Sequence, residues 1–428
     1  MDISFVSACI ALLILFGGCT ANVTRPSAEP TPFTEDAPSP TDTGAATEPA
    51  EEFTPQPKVI PTMMLPPVET DIFEELGDYI YMSPVSGNEY GVMVIKNDGT
   101  IVTWGEEVPL LYPTDVPETI GKAVFVSKAR WQSMAIDNEG TLWNWGARNW
   151  YDRDITYEIL HKPIMRNVQM ASAGSYFAIV LRKDGTLWSW GVNDGGLGLG
   201  YDMVREHGFG DDWMYPVIEP GMVLDNVIFA IPGYAIRDDY TLWGWGYIGI
   251  NVNPDDPYVY EPTYIMGDVK YVSNHIAVKT DGTLWTFGKR VFYAPHSGEE
   301  PFPSYFSGGP PVQIAEGVRL AKLEYERFMV IMEDGSLWVW GDNTYGALGD
   351  GTDEFRYEPF KLMDNVIYVT AGADNIFVVT ANGELWETGL HYGVRWELYA
   401  YGRTPTAEEF RTAWIPRKIM DDVLIPQS

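Results

Sequence analysis

The chain has 428 residues, 45% hydrophobic and 14% aromatic, which is ample material for a core. Sixty acidic residues against 28 basic ones give a formal net charge of -32. Phosphate-rich partners must be neutralised by Lys and Arg, so this balance excludes nucleic acid and disfavours anionic lipid headgroups.

The two cysteines, Cys9 and Cys19, both lie at the N-terminus. The remainder of the chain can form no disulfide, no Cys-ligated metal site and no cysteine nucleophile. Residues 3–16, ISFVSACIALLILF, are too short for a membrane-spanning helix and suit the apolar region of a signal peptide. The run ends in Phe16-Gly17-Gly18-Cys19, small residues before a cysteine. This resembles the lipobox of bacterial lipoproteins, a resemblance that implies lipidation of Cys19. Two positions depart from that pattern: Phe16 stands where Leu is usual, and Met1-Asp2-Ile3-Ser4 carries no positive charge. The expectation is a signal peptide over 1–18 and an extracytoplasmic, lipid-anchored chain that meets a membrane only through Cys19. Residues 20–58 hold eight prolines and few large apolar residues. Such a segment cannot bury enough surface to offset its chain entropy. The lipidated cysteine and a disordered Pro/Thr/Glu-rich linker are assigned to 19–70, and the folded body to 71–428.

From about residue 76 one phrase recurs seven times. It reads Asn97-Asp98-Gly99-Thr100-Ile101-Val102-Thr103-Trp104-Gly105 at first, and most fully Glu333-Asp334-Gly335-Ser336-Leu337-Trp338-Val339-Trp340-Gly341. The turns of the other copies fall at Gly140, Gly185, Tyr240, Gly282 and Gly383. Asp-Gly or Asn-Gly between two apolar runs predicts a hairpin, here read as a two-residue turn with both residues at positive φ. The strand after the turn carries Trp at alternate positions, which puts both rings on one sheet face. A third strand ending in Ala-Gly precedes the hairpin, as in Val168–Gly174 and Val366–Gly372. Three or four short strands per unit make a propeller blade.

Two copies continue into a glycine-rich tail, Asn193-Asp194-Gly195-Gly196-Leu197-Gly198-Leu199-Gly200 and Asn343-Thr344-Tyr345-Gly346-Ala347-Leu348-Gly349-Asp350-Gly351. The combined pattern resembles the regulator of chromosome condensation repeat over about residues 76–425. The resemblance implies an all-β, seven-bladed propeller. Its known members include exchange factors for a nuclear GTPase, chromatin binders and secreted bacterial inhibitors of β-lactamase, all working through faces and loops. The C-terminal segment 417–425 echoes Phe360–Tyr368 and is expected to close the ring by pairing into blade one beside Tyr79–Met82.

Eleven of the sixteen tryptophans stand in the phrase and read as core between blades. The Asp-Gly pairs, and Asp342, Asn343 and Asp350, read as turn chemistry. No two histidines have metal-ligand spacing, and no nucleophile motif is present, so neither catalysis, cofactor nor metal is expected. The long connections are the informative irregularities. Their aromatic residues suit a recognition face, comprising Trp150, Tyr151, Trp213, Tyr215, Tyr258, Tyr260, Phe292, Tyr293, Tyr345, Tyr392 and Trp396. The expected role is a monomeric, non-enzymatic module that binds another protein through loops on one face. The alternative is a lectin-like propeller that binds glycan or cell wall, and an enzyme acting on polysaccharide is the remote third.

Overall fold

The computed structural model describes residues 83–425 apart from 106–115, 147–161, 201–215, 250–257, 292–304, 391–405 and several shorter gaps. The expected signal peptide, Cys19, the linker and Tyr79–Met82 lie outside the described residues. All described strands belong to one compact unit, Val59–Ser428.

Seven antiparallel sheets follow one another along the chain. Blade one comprises β1 (Val85–Gly87), β2 (Gly91–Ile95) and β3 (Ile101–Gly105). Blade two comprises β4 (Ala123–Lys128), β5 (Gln132–Asp137), β6 (Leu142–Gly146) and β7 (Lys162–Met165). Blade three is β8 (Val168–Ala173), β9 (Phe177–Arg182), β10 (Leu187–Val192) and β11 (Pro216–Leu224). Blade four is β12 (Val227–Ile231), β13 (Tyr234–Arg237), β14 (Leu242–Gly246) and β15 (Val259–Met266). Blade five is β16 (Val269–Ser273), β17 (Ile276–Lys279), β18 (Leu284–Thr286) and β21 (Val312–Ala315), with a small hairpin, β19 (Arg290–Val291) and β20 (Tyr305–Phe306), before its last strand. Blade six is β22 (Val318–Glu324), β23 (Arg327–Met332), β24 (Leu337–Gly341) and β25 (Arg356–Met363). Blade seven is β26 (Val366–Ala371), β27 (Asn375–Thr380), β28 (Leu385–Gly389) and β29 (Arg417–Met420). Each blade packs on the next, and blade one touches both two and seven, so the sheets form a closed seven-bladed propeller.

The hairpin of the repeated phrase is not the expected two-residue turn. Gly99 donates to the Lys96 carbonyl at 2.8 Å, and Lys96 donates to Thr100 at 2.9 Å. In the Asn97-Asp98-Gly99 loop, Gly99 alone has positive φ, +85°. This is a type I turn closed by a glycine bulge, a three-residue loop. The aspartate stays in an ordinary conformation because its carboxylate has a local task. Asp98 Oδ1 accepts from the N–H and hydroxyl of Thr100 at 2.9 and 2.7 Å. Asp184, Asp239, Asp281 and Asp334 repeat the arrangement with Thr186, Thr241, Thr283 and Ser336. These bonds, the side-chain one foremost, hold Asp98, Asp184, Asp239 and Asp281 below the usual carboxylate range. The worn fourth copy puts Tyr240 at the glycine position, with φ +60°.

The two tryptophans of the phrase play different parts. The second packs between blades, most deeply at Trp145 and Trp245, each 1% exposed, while Trp104, Trp190 and Trp340 are half-buried. Burying such a ring is worth up to ~4–6 kcal/mol by area. The first is half-buried, and its indole N–H donates to the turn hydroxyl, as Trp188 does to Thr186 and Trp338 to Ser336.

The C-terminal segment corrects the expected closure. β29 is the outer strand of blade seven, paired with β28 through Leu385–Met420 and Trp386–Lys418. Only the residues after it reach blade one: Val423 bridges Lys96, and the Leu424 N–H donates to the Ile95 carbonyl at 2.8 Å. The reason lies in where one blade ends. Asn167, Asn226, Asp268, Gly317 and Asn365 all have positive φ and sit between an outer strand and the next inner strand, and Asp422, also at positive φ, stands between β29 and the Val423 bridge to blade one. The echoed segment therefore straddles a blade boundary, and its larger part belongs to the preceding blade.

Candidate functional site

Alternation of antiparallel strands assigns every connection to one of two faces. One face carries the Asp-Gly hairpins and the blade-to-blade turns. The other carries the turns after the inner strands and the long connections between third and fourth strands. Among the described residues, Tyr247, Tyr258 and Tyr345 therefore emerge on a single loop face.

Of the expected recognition residues, Tyr258, Tyr260 and Tyr345 fall among the described residues, and the others lie outside them. Tyr258 and Tyr260 come together on the blade-four connection, ring centroids 6.3 Å apart and 25° from parallel. Tyr247, from the same connection, adds a third ring 6.0 Å from Tyr258. Tyr247 and Tyr258 are 52% and 41% exposed, a patch that water would not favour unless it had another use. Tyr345 lies two blades away. It occupies a tight 3-10 turn at φ +58°, beside Gly346, over which the Trp414 ring packs too closely to leave room for a side chain. Trp414 is thus a packing residue.

The glycine-rich tail is likewise structural. Asn343 is fully buried, accepts from the Leu348 N–H at 2.8 Å and donates to Asp350 at 3.0 Å. Burial raises the Asp350 carboxyl, but bonds from Thr352, Asn343 and Arg356 outweigh it and hold its pKa low. The tail of one blade receives the second aromatic position of the next: the Trp245 indole donates to the Gly196 carbonyl at 2.8 Å, and the Thr388 hydroxyl donates to Ala347. Among the described residues no three His, Cys, Asp or Glu side chains gather as a metal site requires.

Inside the ring, the inner strands of all seven blades line a cavity of about 620 Å³. Its polar side chains mostly stitch blades together. Ser86 accepts from the Lys128 N–H, Ser127 from Ala173, Ser273 from Leu323 and Glu324 from Ala371, at 2.7–3.2 Å. Each bond runs from one inner strand to the next. Lys322 is buried, donates to the Tyr368 hydroxyl at 3.0 Å and lies 3.9 Å from Glu324. Burial disfavours its charge, but Tyr368, Tyr271 and Glu324 outweigh that and raise its pKa above the usual lysine range. Tyr271 is raised in turn by burial. Lys128 differs: burial pushes its pKa down to about 8 with nothing opposing.

Arg327 holds the rim between blades six and seven. Its guanidinium donates to the Asp342 carbonyl and carboxylate and to the Gly372 and Ala373 carbonyls at 2.6–3.1 Å. Gln132 stands at the same register of blade two and donates to Gly174 and Phe177 of blade three. Sequence reasoning passed over both, although a long polar residue opening an apolar second strand was the available signal.

Two segments, 169–196 and 334–379, match the family model described as the regulator of chromosome condensation (RCC1) repeat. Both contain the inner strand or hairpin geometry and the tail chemistry just described. These two segments of the propeller are regulator of chromosome condensation repeats. The chain is 25% identical over 266 residues to the mouse E3 ubiquitin-protein ligase HERC2, covering 56% of this chain and 5% of that protein. It is 29% identical over 125 residues to the Arabidopsis thaliana mitochondrial RCC1 domain-containing protein RUG3, 27% of this chain and 26% of that one. Thus the chain spans only a small part of the curated relatives' length. In fold it is similar to Prp20p from Saccharomyces cerevisiae, with TM-score 0.55, 18% identity and coverage of 80% of this chain and 89% of that one. It is also similar to human WBSCR16, with TM-score 0.54, 18% identity and coverage of 69% and 86%.

Proposed function

We propose that this RCC1-repeat propeller is a non-enzymatic protein-binding module that recognises its partner through the loop face. Lipidation of Cys19 would hold it outside a bacterial cell. The observation that carries the reading is the ladder of Tyr247, Tyr258 and Tyr260, of which the first two are exposed and the third is half-buried. Tyrosine offers large contact area at low cost in side-chain entropy, and exposed clusters of it are the usual anchors of protein recognition. Prp20p, similar in fold, is described in terms of its binding to Gsp1p and histones, which supports a protein as the class of partner here. The near-parallel pair Tyr258 and Tyr260 favours one second reading, in which the rings stack on a sugar.

The test is to use the full chain, with Cys19→Ser to remove the lipid, as bait against bacterial surface proteins and against a glycan array. Tyr258→Ala, Trp213→Ala and Trp396→Ala serve as comparisons. The proposal expects a saturable protein partner weakened by Tyr258→Ala. Glycan binding without protein binding would replace it with the lectin reading.

A further inference from the structure

We propose that the central channel binds a small neutral polyol, the size of one sugar ring, beside the inner strand of blade four. Phe229 and Ile231 take its apolar face, and the Ser172 and Tyr271 hydroxyls and the Asn274 N–H take its hydroxyls. The site is separate from the loop-face tyrosines and does not depend on their role. A cavity of about 620 Å³ falls within the range of small-molecule sites, roughly 300–1,000 Å³. All five residues line it.

The place follows from a break in the stitching between blades. Ser86, Ser127, Ser172, Ser273 and Thr370 share one register on their inner strands, which Ile231 takes in blade four and Lys322 in blade six. Ser86, Ser127 and Ser273 each accept from a backbone N–H of the next blade. That bond uses a lone pair and leaves the hydroxyl proton free to donate. On both sides of blade four the bond is missing. The residue placed to serve Ser172 is Pro232, which has no N–H. Asn274 has the N–H, but the position placed to accept from it is Ile231, whose side chain has no oxygen. Among the described residues neither the Ser172 hydroxyl nor the Asn274 N–H makes a hydrogen bond.

Tyr271 points the same way independently. It is 5% exposed, yet its hydroxyl makes no hydrogen bond among the described residues and is not sealed from the cavity. A hydroxyl so placed takes its partner from the channel. Its ring meets that of Phe229 at 4.9 Å, so the polar tip stands at the edge of an apolar surface. The charges make the ligand neutral. Glu324 is the one carboxylate lining the cavity among the described residues, and Lys322, 3.9 Å away, balances it. Lys128 belongs to blade two, and its stem lies against Gly91. The net charge of -32 opposes an anion. Groups that donate and accept around an apolar patch match a polyol, whose hydroxyls do both.

The test titrates the full chain, again with Cys19→Ser, with D-glucose, D-galactose and N-acetylglucosamine by isothermal titration calorimetry. Cyclohexanol, which keeps one hydroxyl, and glucuronate, which adds a carboxylate, are the comparisons. The proposal expects at least one of the three sugars to saturate a single site, and both comparison compounds to bind more weakly. Losing one hydroxyl bond should weaken that sugar about fivefold in Ser172→Ala and in Tyr271→Phe. Tyr258→Ala, on the loop face, should leave it unchanged. Tyr271→Phe keeps the ring and gives the reading should Ser172→Ala fail to fold, which a thermal scan reports. No saturable binding of any of the three sugars up to on the order of 20 mM, unaltered affinity in the folded Ser172 and Tyr271 variants, or tighter binding of glucuronate would each overturn the proposal. So would sugar binding lost in Tyr258→Ala, which belongs to the loop face.

Discussion

Replacing Arg327 with methionine keeps a long apolar stem and removes the fork that joins blades six and seven. Four hydrogen bonds go at once, two to Asp342 and one each to the Gly372 and Ala373 carbonyls. The arginine side chain is 1% exposed, whereas the Asp342 carboxylate is 28% exposed and can recover water. The Gly372 carbonyl is buried and recovers little. An orphaned buried acceptor costs ~1–3 kcal/mol, and breaking a buried charged cluster by deleting one partner costs ~3–5 kcal/mol. We therefore expect Arg327→Met to destabilise the propeller by about 4 kcal/mol. Asp342→Asn should cost about 1 kcal/mol, because the guanidinium keeps its carbonyl acceptors. Arg327→Lys should recover only a fraction, since an ammonium cannot span the same fork. Equilibrium urea unfolding followed by tryptophan fluorescence, with circular dichroism as a check on cooperativity, measures all three. A loss below about 1 kcal/mol for Arg327→Met, or an equal loss for Asp342→Asn, would refute the claim that inter-blade carbonyl contacts dominate.

Tyr240→Gly removes a left-handed conformation from an exposed tyrosine and should raise stability by ~1 kcal/mol, read as a higher urea midpoint. Val423→Asn places an amide at a fully buried position where the C-terminus meets blade one and should cost ~2–4 kcal/mol; an unchanged midpoint would mean that the ring does not depend on this junction. Lys128→Met should stabilise the fold at neutral pH. A folded pKa of about 8 against an ordinary 10.5 makes the unfolded chain bind more protons between those values, so wild-type stability rises with pH across that window. The advantage of Lys128→Met should be largest below about pH 8, with a ceiling of ~3 kcal/mol, and fade towards pH 10.5. Paired thermal scans across this range test the sign.

The architecture was legible because the residues that define it are local. An Asp-Gly turn, a Leu-Trp-x-Trp-Gly strand and an Ala-Gly ending recur within each blade, and seven phrases became seven sheets. The exact turn was less legible, since three-residue and two-residue hairpins share the same glycine and differ in the backbone of the aspartate. The blade boundary was misread because an outer strand and the next inner strand are joined by two residues, the second an Asn, Asp or Gly at positive φ, with no loop to mark the change. The channel was invisible for a different reason. Its wall takes a few residues from each of seven strands some 41 to 59 positions apart, mostly small ones. Of the recognition residues, the Tyr258–Tyr260 pair was readable from spacing, whereas Tyr247 joins them only through the turn of the chain after Gly246.

The most direct test of the loop-face account compares the two faces against one purified partner. Tyr247→Arg, Tyr258→Arg and Tyr325→Arg alter the loop face, and Lys183→Glu and Asn382→Arg alter the hairpin face, all at exposed positions. Biolayer interferometry should find affinity lowered by about tenfold or more in at least one loop-face variant and unchanged in both hairpin-face variants. Loss of binding in the hairpin-face variants, with the tyrosines indifferent to charge, would contradict the account.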